Sequence, residues 1–139
     1  MNRRGAGSPP LRVFVLDCEA LSQAVRGDRR MITLLDAAAR GAAEVVTSPM
    51  TLVEAYDGRI TESRWDWVLS RVKVMGIGKD EARRARRLLA GAGLHGHKYA
   101  IDAVLAVVAR EQKGQVTVFT SDVSDLEALL PPTVLVAKV

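Results

Sequence analysis

The chain has 139 residues, and 48% of them are hydrophobic although Phe, Tyr and Trp occur only twice each, which indicates one domain with an aliphatic core. No apolar run is long enough to cross a bilayer, no hydrophobic segment follows the basic start MNRRGAGSPP, and the single cysteine, Cys18, excludes an internal disulfide, so we expect a cytoplasmic protein rather than a membrane or secreted one. The net charge of +4 is weak evidence for a nucleic-acid partner because Arg3 and Arg4 contribute half of it from the start of the chain.

Residues 1–10 are predicted to form a flexible tail, and residues 11–139 one folded domain. Within that domain short β-branched runs alternate with helical patterns. The predicted strands are Arg12–Asp17, Glu44–Ser48, Val72–Ile77, Val116–Thr120 and Thr133–Ala137. The predicted helices are Glu19–Val25, Arg29–Arg40, Pro49–Asp57, Glu62–Ser70, Lys79–Ala90, Lys98–Gln112 and Ser124–Leu130. This order predicts an α/β fold with three layers, in which a five-stranded, mostly parallel sheet is flanked by helices.

Several residues have the character of helix ends. Ser48 followed by Pro49 predicts an N-cap and a proline at the first helical position. Ser124 and Glu127 match a capping box, which places the start of the last helix at Ser124. Three glycines stand where helices are predicted to end, namely Gly41, Gly91 and Gly114.

Two acidic residues are predicted at the same edge of the sheet. Asp17 ends the first strand, and Asp122 follows the fourth. The functional crevice of an open parallel sheet lies outside the carboxyl ends of its strands. The architecture therefore brings these two carboxylates together if both strands are central and parallel.

Asp102 is the most informative acid, because the stretch YAIDAVLAVVA around it contains no other charged side chain. A helix that is apolar on all sides is normally buried, and a buried carboxylate needs an ion pair, hydrogen bonds or a metal. A salt bridge to a Lys or Arg and exposure on a narrow polar stripe are the structural alternatives.

The other acids each have a structural alternative as well. Asp17 could cap the helix that follows it. Asp122 is less easily explained in this way, since Ser124 already supplies a cap and leaves the Asp122 side chain free. Glu54 could lie on an exposed helix surface, and Asp125 could be a first-turn acid favoured by the helix dipole.

If these carboxylates converge, they require a cation. Clustered carboxylates repel one another, whereas Mg²⁺ or Mn²⁺ accepts hard oxygen ligands and keeps waters for a phosphate substrate. The sequence has no Gly-rich phosphate loop and no G-x-S-x-G motif, and His95 and His97 lack further ligands at zinc spacing.

Basic and aromatic residues outside the acids suggest further roles. Arg83, Arg84, Arg86 and Arg87 crowd one helix whose packing stripe is predicted to be Ala82, Ala85 and Leu89, so the arginines are either a solvated face or a grip for RNA phosphates. Trp65 and Trp67 cannot share a helix face. We expect one in the core and the other at an interface or stacked on a base, with core or dimer packing favoured for the pair.

Four blocks of the chain resemble PIN-domain ribonucleases and, among them, the VapC-type toxins of bacterial toxin–antitoxin pairs. The blocks are VFVLDCEAL with Asp17, VVTSPMTLVEA with Glu54, YAIDAVLAVVA with Asp102, and VFTSDVSDLEAL with Asp122 and Asp125. The resemblance runs from Val13 to about Leu130, so residues 11–139 would form a PIN-like nuclease domain.

The resemblance implies that Asp17, Glu54, Asp102 and Asp122 are catalytic and bind Mg²⁺ or Mn²⁺ for the hydrolysis of RNA. It implies supporting roles for Thr120 and Ser121, which stand at the hydroxyl-bearing positions before the fourth acid, and a secondary role for Asp125. It also implies a homodimer and a small antitoxin protein as partners.

Three other functions stay open from the sequence. A PIN-type nuclease could act in RNA processing or quality control, and a noncatalytic PIN scaffold could bind RNA or protein. A receiver-like signalling domain also places acids at strand ends, but it needs a phospho-acceptor Asp after the third strand, where only Asp80 follows.

Overall fold

The structure, a computed structural model, describes residues 11–139, so the predicted tail at residues 1–10 lies outside it. The strands are β1 (Arg12–Leu16), β2 (Glu44–Thr47), β3 (Lys73–Val74), β4 (Gln115–Thr120) and β5 (Leu135–Lys138). The helices are α1 (Cys18–Val25), α2 (Arg29–Ala39), α3 (Pro49–Glu54), α4 (Glu62–Leu69), α5 (Lys79–Ala92), α6 (Gly96–Glu111) and α7 (Val123–Glu127). The predicted α/β class, with five strands and seven helices, is confirmed.

The five strands form one sheet in the order β3-β2-β1-β4-β5, and every neighbouring pair is parallel. β1 lies at the centre, with Val15 opposite Val46 of β2 on one side and Val118 of β4 on the other. The carboxyl ends of β1 and β4 are therefore adjacent, as the sequence predicted for the two acids that follow them. The sheet is parallel throughout, because each crossover in this chain carries helices.

The core lies in two layers, one on each face of the sheet. Val13 and Val15 of β1 face α5, α6 and α7, whereas Phe14 and Leu16 face α1, α2 and α4. This alternation follows from the two-residue period of a strand. α3 packs Leu52 against the Phe14 side of the core and contacts both α1 and α6, which lie on opposite faces of the sheet.

Helix ends agree with the sequence at α3 and differ from it at α5 and α7. Ser48 caps α3, since its Oγ accepts a hydrogen bond of 3.0 Å from the Thr51 N–H. α7 begins at Val123 with Asp122 at the N-cap position, so Ser124 lies inside the helix and the predicted capping box is wrong. α5 continues through Gly91 and ends before Gly93, whose φ of 68° is the left-handed conformation that glycine adopts without strain.

The third strand is much shorter than predicted. Only Lys73–Val74 of the predicted Val72–Ile77 is paired, and β3 lies at the edge of the sheet, where both residues are exposed. A receiver-like site would need an acid after this strand beside the Asp17 edge. The exposed edge position of β3, next to β2 and not to β1, does not provide one.

The two tryptophans separate as expected. Trp65 is buried against the α1–α2 side of the core, while Trp67 is half-buried with the guanidinium groups of Arg64 and Arg71 at 5.0 and 4.2 Å from its ring centre. Among the helices at residues 11–139, none has both the length and the apolar character of a membrane crossing.

Candidate active site

Asp17 follows β1 and is held by two backbone donors. Its Oδ1 accepts a hydrogen bond of 2.8 Å from the Ala20 N–H, and its Oδ2 accepts one of 3.0 Å from the Ser121 N–H. The first bond caps α1, which the sequence offered as the structural alternative to a catalytic role for Asp17. The second bond connects the end of β1 to the end of β4. Each carboxylate oxygen accepts more than one bond, so capping does not prevent the buried Asp17 from also binding a cation.

Asp122 begins α7 without capping it. Its side chain makes no cap hydrogen bond, while its N–H donates to the Thr120 Oγ1 at 2.8 Å. The sequence predicted a free Asp122 side chain for the wrong reason, because Ser124 is not the cap. The buried hydroxyl of Thr120, two residues earlier, instead holds the backbone N–H of Asp122.

Asp102 is half-buried on α6 and has no cationic partner. None of the four ion pairs formed within residues 11–139 involves it, so the salt-bridge alternative is wrong. Burial, together with the nearby carboxylates of Asp122 and Asp125, raises the pKa of Asp102 from its ordinary value of 3.8 to about 6. The protein thus holds a carboxylate in a position that disfavours its charge.

Three carboxylates converge closely enough to share one ion. Asp102, Asp122 and Asp125 each offer an oxygen, and these oxygens lie within 4.8 Å of one another. Asp125, which the sequence ranked as secondary, therefore belongs to the central group. The spacing of Asp122 and Asp125 on the first turn of a helix brings both side chains to the same side.

Glu54 is the last residue of α3 and is exposed, as its structural alternative predicted, but it also lines the cleft that contains Asp17. Partial burial raises the pKa of Glu54, the charge of Asp17 raises it further, and a hydrogen bond from the Cys18 thiol opposes the rise. Glu54 is thus electrostatically coupled to the other acids.

All four predicted catalytic acids line one cleft of about 160 Å³. Its walls are Asp17, Cys18, Glu19, Thr51, Glu54, Ile101, Asp102, Leu105, Ser121 and Asp122. The sequence reasoning missed the polar residues Glu19 and Thr51, although Thr51 stands three residues before Glu54 and so shares its helix face. Cys18 is half-buried, and burial together with the charge of Glu54 raises the pKa of its thiol to about 11.

The two hydroxyl residues before Asp122 act differently. Ser121 lines the cleft, whereas the Thr120 hydroxyl is turned to the Asp122 N–H. The two histidines play no part in the cleft. Both are exposed, and within residues 11–139 the one group of His, Cys, Asp and Glu with metal-binding spacing is the aspartate cluster.

The α5 arginines lie away from the acidic cleft. Arg84 forms an ion pair with Glu111, the last residue of α6, and Asp102 lies roughly 13 Å from Glu111 along that helix. Arg83, Arg86 and Arg87 are exposed around a shallow depression. The predicted packing stripe is wrong at Ala82, which is exposed, and right at Ala85 and Leu89.

Comparison with known proteins identifies the fold and the family. No curated protein matched the sequence. Among solved structures, a chain from the crystal structure of VapBC2 from Rickettsia felis bound to a DNA fragment from their promoter superposes with a TM-score of 0.63 at 14% identity, over 91% of this chain and 98% of that one. The family described as the PIN domain matches residues 14–127, which include every acid of the cleft. With its parallel sheet and the acids at its carboxyl edge, the chain belongs to the PIN-domain family.

Proposed function

We propose that this PIN-domain protein is a metal-dependent endoribonuclease that hydrolyses RNA phosphodiester bonds. The observation that carries the proposal is the convergence of acids from four separate segments on one cleft with no cationic side chain among its walls. The negative charges of these carboxylates repel one another unless a cation binds in the cleft. Asp17, Glu54, Asp102 and Asp122 are the proposed catalytic residues, and Asp125 is a further metal ligand.

The donor set fits Mg²⁺ or Mn²⁺. Asp102, Asp122 and Asp125 would hold the ion through carboxylate oxygens, which are the hard ligands that both ions prefer, and Asp17 and Glu54 would complete the acidic wall. When bound, the ion would neutralise negative charge on the phosphoryl oxygens and lower the pKa of water.

The protein side chains prepare the cleft for this chemistry. Asp17 is fixed by its bonds from Ala20 and Ser121, so its carboxylate needs no reorganisation when substrate arrives. Glu54 is exposed, its carboxylate accepts no backbone cap, and its pKa is raised, so we assign to this carboxylate the proton of the attacking water. Attack in line with the leaving oxygen follows from the charge distribution of phosphoryl transfer.

We further propose that the protein is the toxin of a toxin–antitoxin pair, acting in the cytoplasm as a homodimer and controlled by a small antitoxin. The fold likeness to a chain of VapBC2 supports this assignment, together with the four sequence blocks that resemble VapC-type toxins. A PIN nuclease of RNA processing or quality control is the alternative. A neighbouring short reading frame for a DNA-binding antitoxin would favour the toxin.

Cleavage of total cellular RNA by the purified protein tests the enzymatic proposal. We expect cleavage with Mg²⁺ or Mn²⁺, loss of cleavage with a chelator, and a fall of about 100-fold or more in Asp17→Asn and Asp102→Asn. Asp36→Asn is the matched control, because Asp36 is an exposed acid on α2 outside the cleft.

Thermal unfolding monitored by circular dichroism shows whether each variant folds. Undiminished cleavage by the folded double variant Asp17→Asn, Asp102→Asn in the absence of metal would overturn the mechanism. Sequencing of new RNA ends after induction in cells then identifies the target.

A further inference from the structure

Two basic residues meet at the carboxyl end of β5, beside the acidic cleft. The Lys138 Nζ donates a hydrogen bond of 2.9 Å to the Ser121 carbonyl. The Arg30 Nη1 donates one of 3.0 Å to the Lys138 carbonyl, and its guanidinium carbon lies 4.8 Å from the centre of the Phe119 ring. Both side chains are exposed, yet both have defined contacts.

These contacts hold the two cations without neutralising them. Carbonyl oxygens and an aromatic ring carry no net charge, and neither Lys138 nor Arg30 takes part in any of the ion pairs within residues 11–139. Arg26 and Arg84 differ in this respect, since Arg26 is paired with Glu19 and Arg84 with Glu111. Lys138 and Arg30 therefore retain their positive charge for a ligand.

Lys138 is connected directly to the cleft. It is aligned with Thr120 across the β4–β5 pair, and the residue it contacts, Ser121, lines the cleft and donates its N–H to Asp17. Lys138 thus places its positive charge next to one wall of the acidic cleft. A polyanion that enters the cleft from the β5 side passes over Lys138.

We propose that Lys138 and Arg30 bind a backbone phosphate of the RNA next to the one that is cleaved, so that the strand crosses the ends of β4 and β5. This inference rests on the proposed nuclease function, and it assigns the phosphate contact to these two residues rather than to the α5 arginines. Arginine and lysine are the usual phosphate ligands in proteins, and such contacts position a nucleic acid without reading its sequence. Lys138 and Arg30 are positioning residues in this scheme, since the acids do the chemistry.

Binding of a fluorescein-labelled 20-nucleotide single-stranded RNA of mixed sequence, followed by fluorescence anisotropy with Ca²⁺ in place of the catalytic ion, tests the proposal. We expect Lys138→Ala and Arg30→Ala each to weaken RNA binding by about 5-fold at 0.1 M salt. The conservative variant Lys138→Arg keeps the positive charge and should bind RNA as tightly as the wild type. Each lost phosphate contact lowers the slope of log K against log salt by about 0.7 for a single strand.

Arg86→Ala on α5 is the matched control, because Arg86 is exposed and lies in the arginine depression. We expect it to leave both the affinity and the salt slope unchanged. In cleavage assays Lys138→Ala should raise KM and leave kcat at saturation within about two-fold, which is the pattern of lost ground-state binding. A residue of merely structural importance would lower the melting temperature instead.

The outcomes separate this inference from the proposed function. Wild-type cleavage together with wild-type affinity and salt slope in the Lys138→Ala, Arg30→Ala double variant overturns the phosphate site alone. A weakening by Arg86→Ala that exceeds the effect of the double variant also overturns it and moves the strand to α5. RNA binding that depends on Lys138 and Arg30 without any cleavage supports the phosphate site and overturns the nuclease function.

Discussion

Asp102 is surrounded by charges of its own sign. Asp122 and Asp125 lie within 4.8 Å of it by their closest oxygens, and Glu54 and Asp17 raise its pKa further from the other walls of the cleft. An Arg or Lys side chain would relieve this repulsion, but none is among the described residues that line the cleft. Residue-level electrostatics therefore opposes folding of the metal-free protein at neutral pH.

Asp102→Asn should stabilise the metal-free protein at neutral pH. The pKa of Asp102 is about 6 in the folded protein and close to 3.8 when unfolded, so the folded state binds more protons between these values and loses stability as pH rises through that window. After allowance for solvent screening we expect a gain of about 1–2 kcal/mol at pH 7.5 that vanishes near pH 4. Urea unfolding in the presence of a chelator at both pH values measures it.

A gain that persists unchanged at pH 4 would show that packing, and not charge, explains the effect. The same variant with Mn²⁺ added should be less stable than the wild type under identical conditions, because it lacks a metal ligand. Asp36→Asn, at an exposed site, should show neither effect.

α3 is the element on which the geometry of Glu54 depends. It has only six residues, too few for a helix to be stable on its own, and it is held at its start by Ser48 and Pro49. The Ser48 Oγ accepts from the Thr51 N–H and also lies 2.9 Å from the Thr51 Oγ1, with both residues fully buried. The cap therefore orders the wall of the cleft that carries Thr51 and Glu54.

Ser48→Ala should destabilise the protein by about 1–2 kcal/mol and lower cleavage, because it removes the cap and leaves the buried Thr51 hydroxyl without this partner. The matched control is Ser124→Ala. The sequence pattern makes Ser124 a cap, but in the structure it is an exposed residue inside α7, so its replacement should change stability by less than about 0.5 kcal/mol. Thermal unfolding of both variants gives the comparison, and equal losses would contradict the structure at α7.

Across the whole molecule, the cleft brings together residues from the end of the central strand and from two helices. Asp17 follows the central strand, Asp102 comes from the middle of α6, and Asp122 and Asp125 from the start of α7. An ion bound by these carboxylates would link both layers of helices to the carboxyl edge of the sheet. Metal binding should consequently stabilise the fold as a whole.

Addition of Mn²⁺ at about 100 times its Kd should raise the melting temperature by on the order of 10 °C, because binding to the folded state alone contributes about 2.7 kcal/mol. The rise should be lost in Asp102→Asn and kept in Asp36→Asn. Differential scanning calorimetry with Mn²⁺, Mg²⁺ and chelator tests this, and an equal rise in all three proteins would place the ion outside the aspartate cluster.

Local patterns in the sequence were enough to predict the α/β class, the five strands, the cap at Ser48 and the placement of Asp17 and Asp122 at one edge. These features depend on the period of the apolar residues and on the residues at each end of an element, and both can be read within a few positions. The prediction that Asp102 needs a cation or hydrogen-bond partner also came from a local pattern, since the helix around it is otherwise apolar. Glu54 was predicted only from the family resemblance.

Tertiary structure alone decided which side chains meet. That Asp122 and Asp125 meet Asp102, and that Arg30 and Lys138 meet beside Ser121, depends on distances between segments far apart in the chain. The ends of α5 and α7 were mispredicted for the same reason, because packing against α6 and β5 extends or shortens a helix beyond its local signals. The sequence by itself thus determined which acids the protein carries to the edge of its sheet, and the fold determined which of them come within reach of one ion.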